Sequence, residues 1–167
     1  KKGSLEKLNI RTSTMYEYAI QNDICTKNYA SYIVLPKADK KEKEIFTDSD
    51  IKKLWDNKDM FAIDTILILI YTGMRINEML KLTRFDIDLK NNTITGGLKT
   101  SAGKNRVIPI HPKILPFIQA RYAMGERLFP FSYEAYRISF DAALDTLGNK
   151  NKTPHCTRHT FATLMAR

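Results

Sequence analysis

Three short stretches of this 167-residue sequence carry side chains suited to gripping an anion. The first is Thr72-Gly73-Met74-Arg75-Ile76-Asn77-Glu78-Met79-Leu80. Its glycine allows a sharp turn between two helices and sets Arg75 at a helix start, where free N–H groups and the dipole already favour negative charge. An arginine there is mildly mismatched unless a phosphate sits between, because a guanidinium fork fits two phosphate oxygens. A surface arginine paired with Glu78 at i+3 explains the same residues. The second stretch, 97–110, puts Lys99, Lys104 and Arg106 around Thr100 and Ser101, as expected of a hairpin tip that reaches into a groove. Its lysine could protonate a leaving group if its pKa were pushed down, although a solvated basic turn has the same composition. The third is Thr153-Pro154-His155-Cys156-Thr157-Arg158-His159-Thr160-Phe161-Ala162-Thr163. Proline opens a helix, so His155 and Arg158, three apart, share a face near its N-terminus and could clamp an oxyanion. His155, Cys156 and His159 lack a third convergent ligand, so no metal site is expected.

Periodicity supplies the elements that must position these groups. A short helix is expected from Thr12 to Asp23, followed by an apolar segment over 28–35. Lys37 to Glu44 (KADKKEKE) has the composition of a linker. Thr47 and Asp50 form a capping box that opens a helix bearing Ile51, Leu54 and Trp55. A nearly all-apolar helix is expected over 60–71, and another over 75–81. Residues 85–89 alternate as a strand, Asn91-Asn92 turns, 93–95 returns, and 106–110 adds a third strand whose Pro109 suggests an edge. Helices follow at 112–121, 133–147 and 156–165. The expected fold is α+β and mostly helical, with one small three-stranded antiparallel sheet. Residues 1–36 are expected to be the C-terminal remnant of a helical domain, 37–45 a charged linker, and 46–167 the main domain.

Composition narrows the function classes. Lys and Arg number 27 against 18 Asp and Glu, a net charge of +9 that favours polyanionic partners such as nucleic acid. Two cysteines, Cys25 and Cys156, are too few for a disulfide framework, so a reducing cytosol is the expected compartment. The longest apolar run, residues 66–71, is far short of the roughly 20 residues of a membrane span. With 43% apolar and 27% charged residues the chain is ordinary globular material.

Taken together and in this order, the three stretches resemble the catalytic domain of the tyrosine recombinases, the phage-integrase family, over Glu44 to the end. Arg75 in TGMR-x-x-E matches that family's first arginine, Lys99 its hairpin lysine, and His155-x-x-Arg158 with HTFAT its second box. Asn22-Asp23 and Lys27-Asn28 before Leu35-Pro36 are similar to the end of its core-binding domain, which is SAM-like. The resemblance implies DNA strand cleavage and rejoining through a 3′-phosphotyrosyl intermediate, without metal or other cofactor. Arg75 and Arg158 would neutralise the non-bridging oxygens, His155 would hydrogen-bond or relay a proton, and Lys99 would protonate the departing 5′-oxygen. Lys104, Arg106, Thr100 and Ser101 would contact the DNA backbone. It further implies double-stranded DNA as partner, a tetramer of the full-length protein on synapsed DNA, and a cytoplasmic bacterial or phage-encoded origin, with the chain as given monomeric. The other reading is a non-catalytic DNA-binding regulator or accessory protein. The family's nucleophilic tyrosine, preceded by a further His or Trp, lies well downstream of the second arginine. All eight tyrosines here (16, 18, 29, 32, 71, 122, 133 and 136) precede His155. The chain as given is therefore expected to be inactive in cleavage, and Tyr133 and Tyr136 are read as one helix face with Phe140.

Overall fold

The computed structural model describes residues 2–36, 44–96 and 106–167 and divides the chain into two compact units, Lys1–Glu42 and Lys43–Arg167. Among its described residues the first unit is one long helix, α1 (Lys2–Gln21), and a single 3₁₀ turn at Tyr29–Tyr32. Asn28 ties the two together: its side chain accepts from Ala30 N at 3.0 Å and donates to Ser13 Oγ at 2.8 Å. Ala30 is buried, but Leu8, Ile10, Met15, Tyr18 and Val34 are exposed, too little burial for a core of its own. The helix begins about ten residues earlier than the expected 12–23, because nothing between Lys2 and Thr12 breaks it. It stops where Asp23 turns to φ 56°.

In the second unit, seen among the described residues, six helices surround one small sheet. The Thr47–Asp50 capping box opens α2 (Asp48–Asp56), each side chain accepting from the other's backbone N–H at 3.1 and 2.9 Å. Helix α3 (Ile63–Thr72) is the core: Ile63 and Ile66 through Ile70 are fully buried. A fully buried Leu or Ile gains about 1.5–3 kcal/mol over an exposed one, so this helix forms only with its neighbours in place. Those neighbours include α2, α6 (Tyr133–Thr146) and α7 (Pro154–Met165). Phe46 N donates to Thr160 Oγ1 at 2.8 Å, fixing the start of the unit to α7.

The sheet runs β1 (Ile87–Asp88), β2 (Thr93–Gly96) and β3 (Arg106–Pro109), antiparallel and in that order. Its register stacks Ile87 on Ile94 and Ile94 on Ile108, so one apolar stripe faces the core. β3 is an edge, as Pro109 suggested. Strand β1 is shorter than the expected 85–89. Residues Arg84–Asp86 form a 3₁₀ turn instead, because Asp86 Oδ2 accepts from Thr83 N at 2.8 Å and Arg84 N donates to Glu126 O at 2.8 Å. The helix expected over 75–81 is a single turn, α4 (Ile76–Met79), and continues through i→i+3 bonds from Lys81 and Leu82. That expected over 112–121 is displaced to α5 (Leu115–Met124), because Pro116 is tolerated only in a first turn.

Candidate phosphate-binding site

Arg75 owes its place to two residues before it. Gly73 ends α3 at φ 61°, a left-handed conformation natural to glycine, and its N–H caps Leu69 O at 3.0 Å. There is a second reason for glycine: a Cβ at this position would strike the Phe161 ring of α7. Met74 is buried beneath the turn, and a Cβ on Gly96 of β2 would stand 3.4 Å from its Cε, so the turn rests against the sheet. Arg75 follows in extended conformation (φ −76°, ψ 147°) and is half-exposed.

Glu78 lies beneath it. Its side chain is only 4% exposed and accepts from Arg75 N (3.0 Å), Arg75 Nη1 (2.7 Å) and Arg106 Nη2 (3.0 Å). Burial alone would raise the Glu78 carboxyl, but the Arg75 backbone and side-chain hydrogen bonds and the charges of Arg106 and Arg75 outweigh it. The group is held below the ordinary carboxylate value. The Arg75–Glu78 pair at i+3 is thus real, and it lies inside a cleft rather than on an open surface. A one-turn helix has little dipole, so the charge here is that of the guanidiniums.

The third stretch arrives from the other end of the chain. Pro154 starts α7, with Thr153 N on Cys156 Sγ at 3.3 Å and Thr157 Oγ1 donating to Pro154 O at 2.7 Å. Arg158 then reaches back and donates from Nη1 to Gly73 O at 2.6 Å. Burial, then the charges of Arg75 and Arg106, push the Arg158 pKa down, partly offset by Glu78. These are like charges held close together. His155 is exposed, and its ring meets that of His159 edge-on at 4.4 Å between centroids.

Arg75, His155 and Arg158 therefore line one cleft of about 730 Å³, together with Met74, Ile76, Asn77, Glu78, Lys81, Tyr133, Arg137, Thr153 and Pro154. Lys99, Thr100, Ser101 and Lys104 lie outside the described residues. Arg106 is engaged with Glu78. Among the described residues no group of three His, Cys, Asp or Glu is placed to hold a metal ion, and none of their helices is long and apolar enough to cross a membrane.

The two tyrosines of α6 part company. Tyr136 is buried against Phe140, and burial pushes its hydroxyl pKa up, partly offset by the hydrogen bond to Thr65 Oγ1 at 3.0 Å. Tyr133 is half-exposed and lines the cleft with Arg137, one turn on. Tyr133 and Tyr136 are i,i+3 and share a broad face with Phe140, over whose ring the Arg137 guanidinium lies at 5.8 Å, but Tyr133 sits at the exposed margin of that face.

Known proteins share this chain's sequence pattern and fold. Residues 39–167 match the phage integrase family. The chain is 31% identical to tyrosine recombinase XerA of Saccharolobus solfataricus over 96% of its own length and 56% of that protein. It is 23% identical to tyrosine recombinase XerD of Staphylococcus saprophyticus, over 96% of its own length and 61% of that protein. Among solved structures, the Tn1549 transposon integrase in complex with circular intermediate DNA superposes with a TM-score of 0.83 at 21% identity, over 99% of this chain and 67% of that one. A lambda integrase dimer bound to a COC′ core site gives 0.79 at 17% identity, over 100% of this chain and 53% of that one. The chain belongs to the phage integrase family of tyrosine recombinases. It spans a little over half the length of the curated relatives it matches.

Proposed function

We propose that this chain is the phosphate-gripping part of a site-specific DNA recombinase, with residues 46–167 belonging to the catalytic domain and 1–36 to a core-binding domain. The observation that carries the reading is that Arg75, just before α4, and Arg158, in α7, line one cleft with His155, and that Arg158 is bonded to the turn presenting Arg75. Two guanidiniums so placed neutralise the non-bridging oxygens of a pentacovalent phosphate, where such stabilisation contributes roughly 10²–10³ in rate per donor. His155 hydrogen-bonds there or relays a proton. A tyrosine oxygen attacks phosphorus, the bond to the 5′-oxygen breaks, and Lys99 gives that oxygen its proton. A hydroxyl from another strand reverses the step, so bond energy is conserved and no nucleotide cofactor is consumed.

Residues 159–167 contain no tyrosine; the two arginines and His155 are assigned to gripping the phosphate, and the attacking oxygen to a tyrosine downstream of Arg158. Duplex DNA is the partner, with Thr100, Ser101 and Lys104 on its backbone, and the full-length recombinase, bacterial or phage-encoded, assembles as a tetramer on synapsed DNA in the cytoplasm. The +9 charge supports the DNA partner. The experiment is duplex binding across a salt series. Weak, sequence-tolerant affinity that falls steeply with salt is expected; salt-independent or absent binding would contradict the reading.

A further inference from the structure

Arg75 and Arg106 come from different elements, yet both guanidiniums end on one carboxylate. Arg75 Nη1 holds Glu78 Oε1, while Arg106 Nη2 holds Oε2, which also accepts from Arg75 N. The Glu78 side chain is 4% exposed, those of Arg75 and Arg106 41% and 30%. With Arg75 alone, a buried carboxylate would form a closed pair and cancel the charge that a phosphate has to meet. With Arg106 on the second oxygen the three groups together carry one net positive charge, and the carboxylate is gripped from both sides. Arg158 registers that excess, since Arg106 as well as Arg75 opposes its charge. Arg106 Nε is buried and has no hydrogen-bond partner among the described residues, a cost that stability alone gives no reason to keep.

We infer that Arg106 is a positioning residue of the phosphate clamp. It locks Glu78 so that Glu78 orients Arg75, and it supplies the counter-charge that leaves Arg75 cationic toward phosphate. It acts through Arg75 rather than on the phosphate, and the inference rests on the recombinase reading above.

The test uses the chain itself with R106Q, R106K, R75A and R75A/R106Q, each checked by thermal melting. The Nε–Hε signal of Arg75 in nitrogen-15 NMR reads the order of that guanidinium with no ligand present, and affinity for a short DNA duplex at low salt reads phosphate binding. R106Q is expected to mobilise the Arg75 signal and weaken binding about fivefold, R106K to restore both, and R106Q to add nothing in the R75A background. A rigid Arg75 in R106Q overturns the inference. So do losses that multiply in the double variant, which would make Arg106 a phosphate ligand in its own right. Failure of the recombinase reading looks different: the unmodified chain binds no duplex, and the Arg75 signal alone then decides the role of Arg106.

Discussion

Arg158 Nη1 donates a 2.6 Å hydrogen bond to the carbonyl of Gly73, two residues before Arg75. A side chain of the last helix is thereby fastened to the turn that presents the other arginine, so the two cannot drift apart without breaking a charge-assisted bond. Gly73 serves the same junction a second time, because the Phe161 ring occupies the space its Cβ would need.

Gly73→Ala should therefore do more than a surface substitution. Alanine at φ 61° costs about 1–2 kcal/mol, and displacing Phe161 adds about 1–3 kcal/mol. Thermal unfolding should show a loss of roughly 2–5 kcal/mol, and the Arg158 guanidinium should lose its order in NMR spectra. An unchanged melt would show that α7 does not pack on this turn as described.

Glu78 gives the site an acid limit. Its carboxyl is held below the ordinary value of 4.5, so it stabilises the fold fully above that pH. The contribution is lost as pH falls through the lower, folded-state value, when Arg75 and Arg106 are left facing Arg158 uncompensated. Between pH 7 and 5 the melting temperature should be flat with respect to this group, and it should fall below pH 4.5. Glu78→Gln should melt lower at pH 7, by an amount on the scale of breaking a buried pair, about 3–5 kcal/mol, and show a weaker acid limb. Parallel limbs in both proteins would assign the acid sensitivity elsewhere.

How far the sequence alone reaches is clearest at particular residues. The Thr47–Asp50 box, the Asn91-Asn92 turn and the Gly73 stop were legible because each is a local rule satisfied within a few residues of chain. Strand 85–89 misled because its alternation is real but Arg84 N found Glu126 O, a partner some forty residues away that no local pattern contains. Arg75, His155 and Arg158 could be nominated by type and spacing. The carboxylate that holds Arg75 and Arg106 together could not be given that role, since the approach of β3 to α4 is a tertiary fact. Tyr133 and Tyr136 were legible as one face of α6, but not that Tyr136 would be buried and Tyr133 left half-exposed at its margin, which depends on how far α3 covers that face.

The proposed mechanism gives Lys99 the leaving group. In a polypeptide joining this chain to a segment that supplies the tyrosine, Lys99→Ala should slow cleavage of an ordinary phosphodiester, and a 5′-bridging sulfur, which departs without a proton, should rescue it. Rescue of Arg75→Ala or Arg158→Ala by the same sulfur would show that the roles have been exchanged.

The chain alone should form no covalent adduct with a nicked suicide substrate, because arginines stabilise a transition state but supply no attacking oxygen. An adduct that survives denaturation, and disappears in Tyr133→Phe, would identify the cleft tyrosine as a nucleophile and overturn the mechanism proposed.

The most direct measurement is adduct formation on that suicide substrate by the joined polypeptide, compared with its Arg75→Ala and Arg158→Ala variants. Each variant should lose about 10²–10³ or more in cleavage rate while duplex affinity falls by no more than about tenfold and the fold is kept. Cleavage at the unmodified rate in either variant would contradict the assignment of these two arginines as the phosphate clamp.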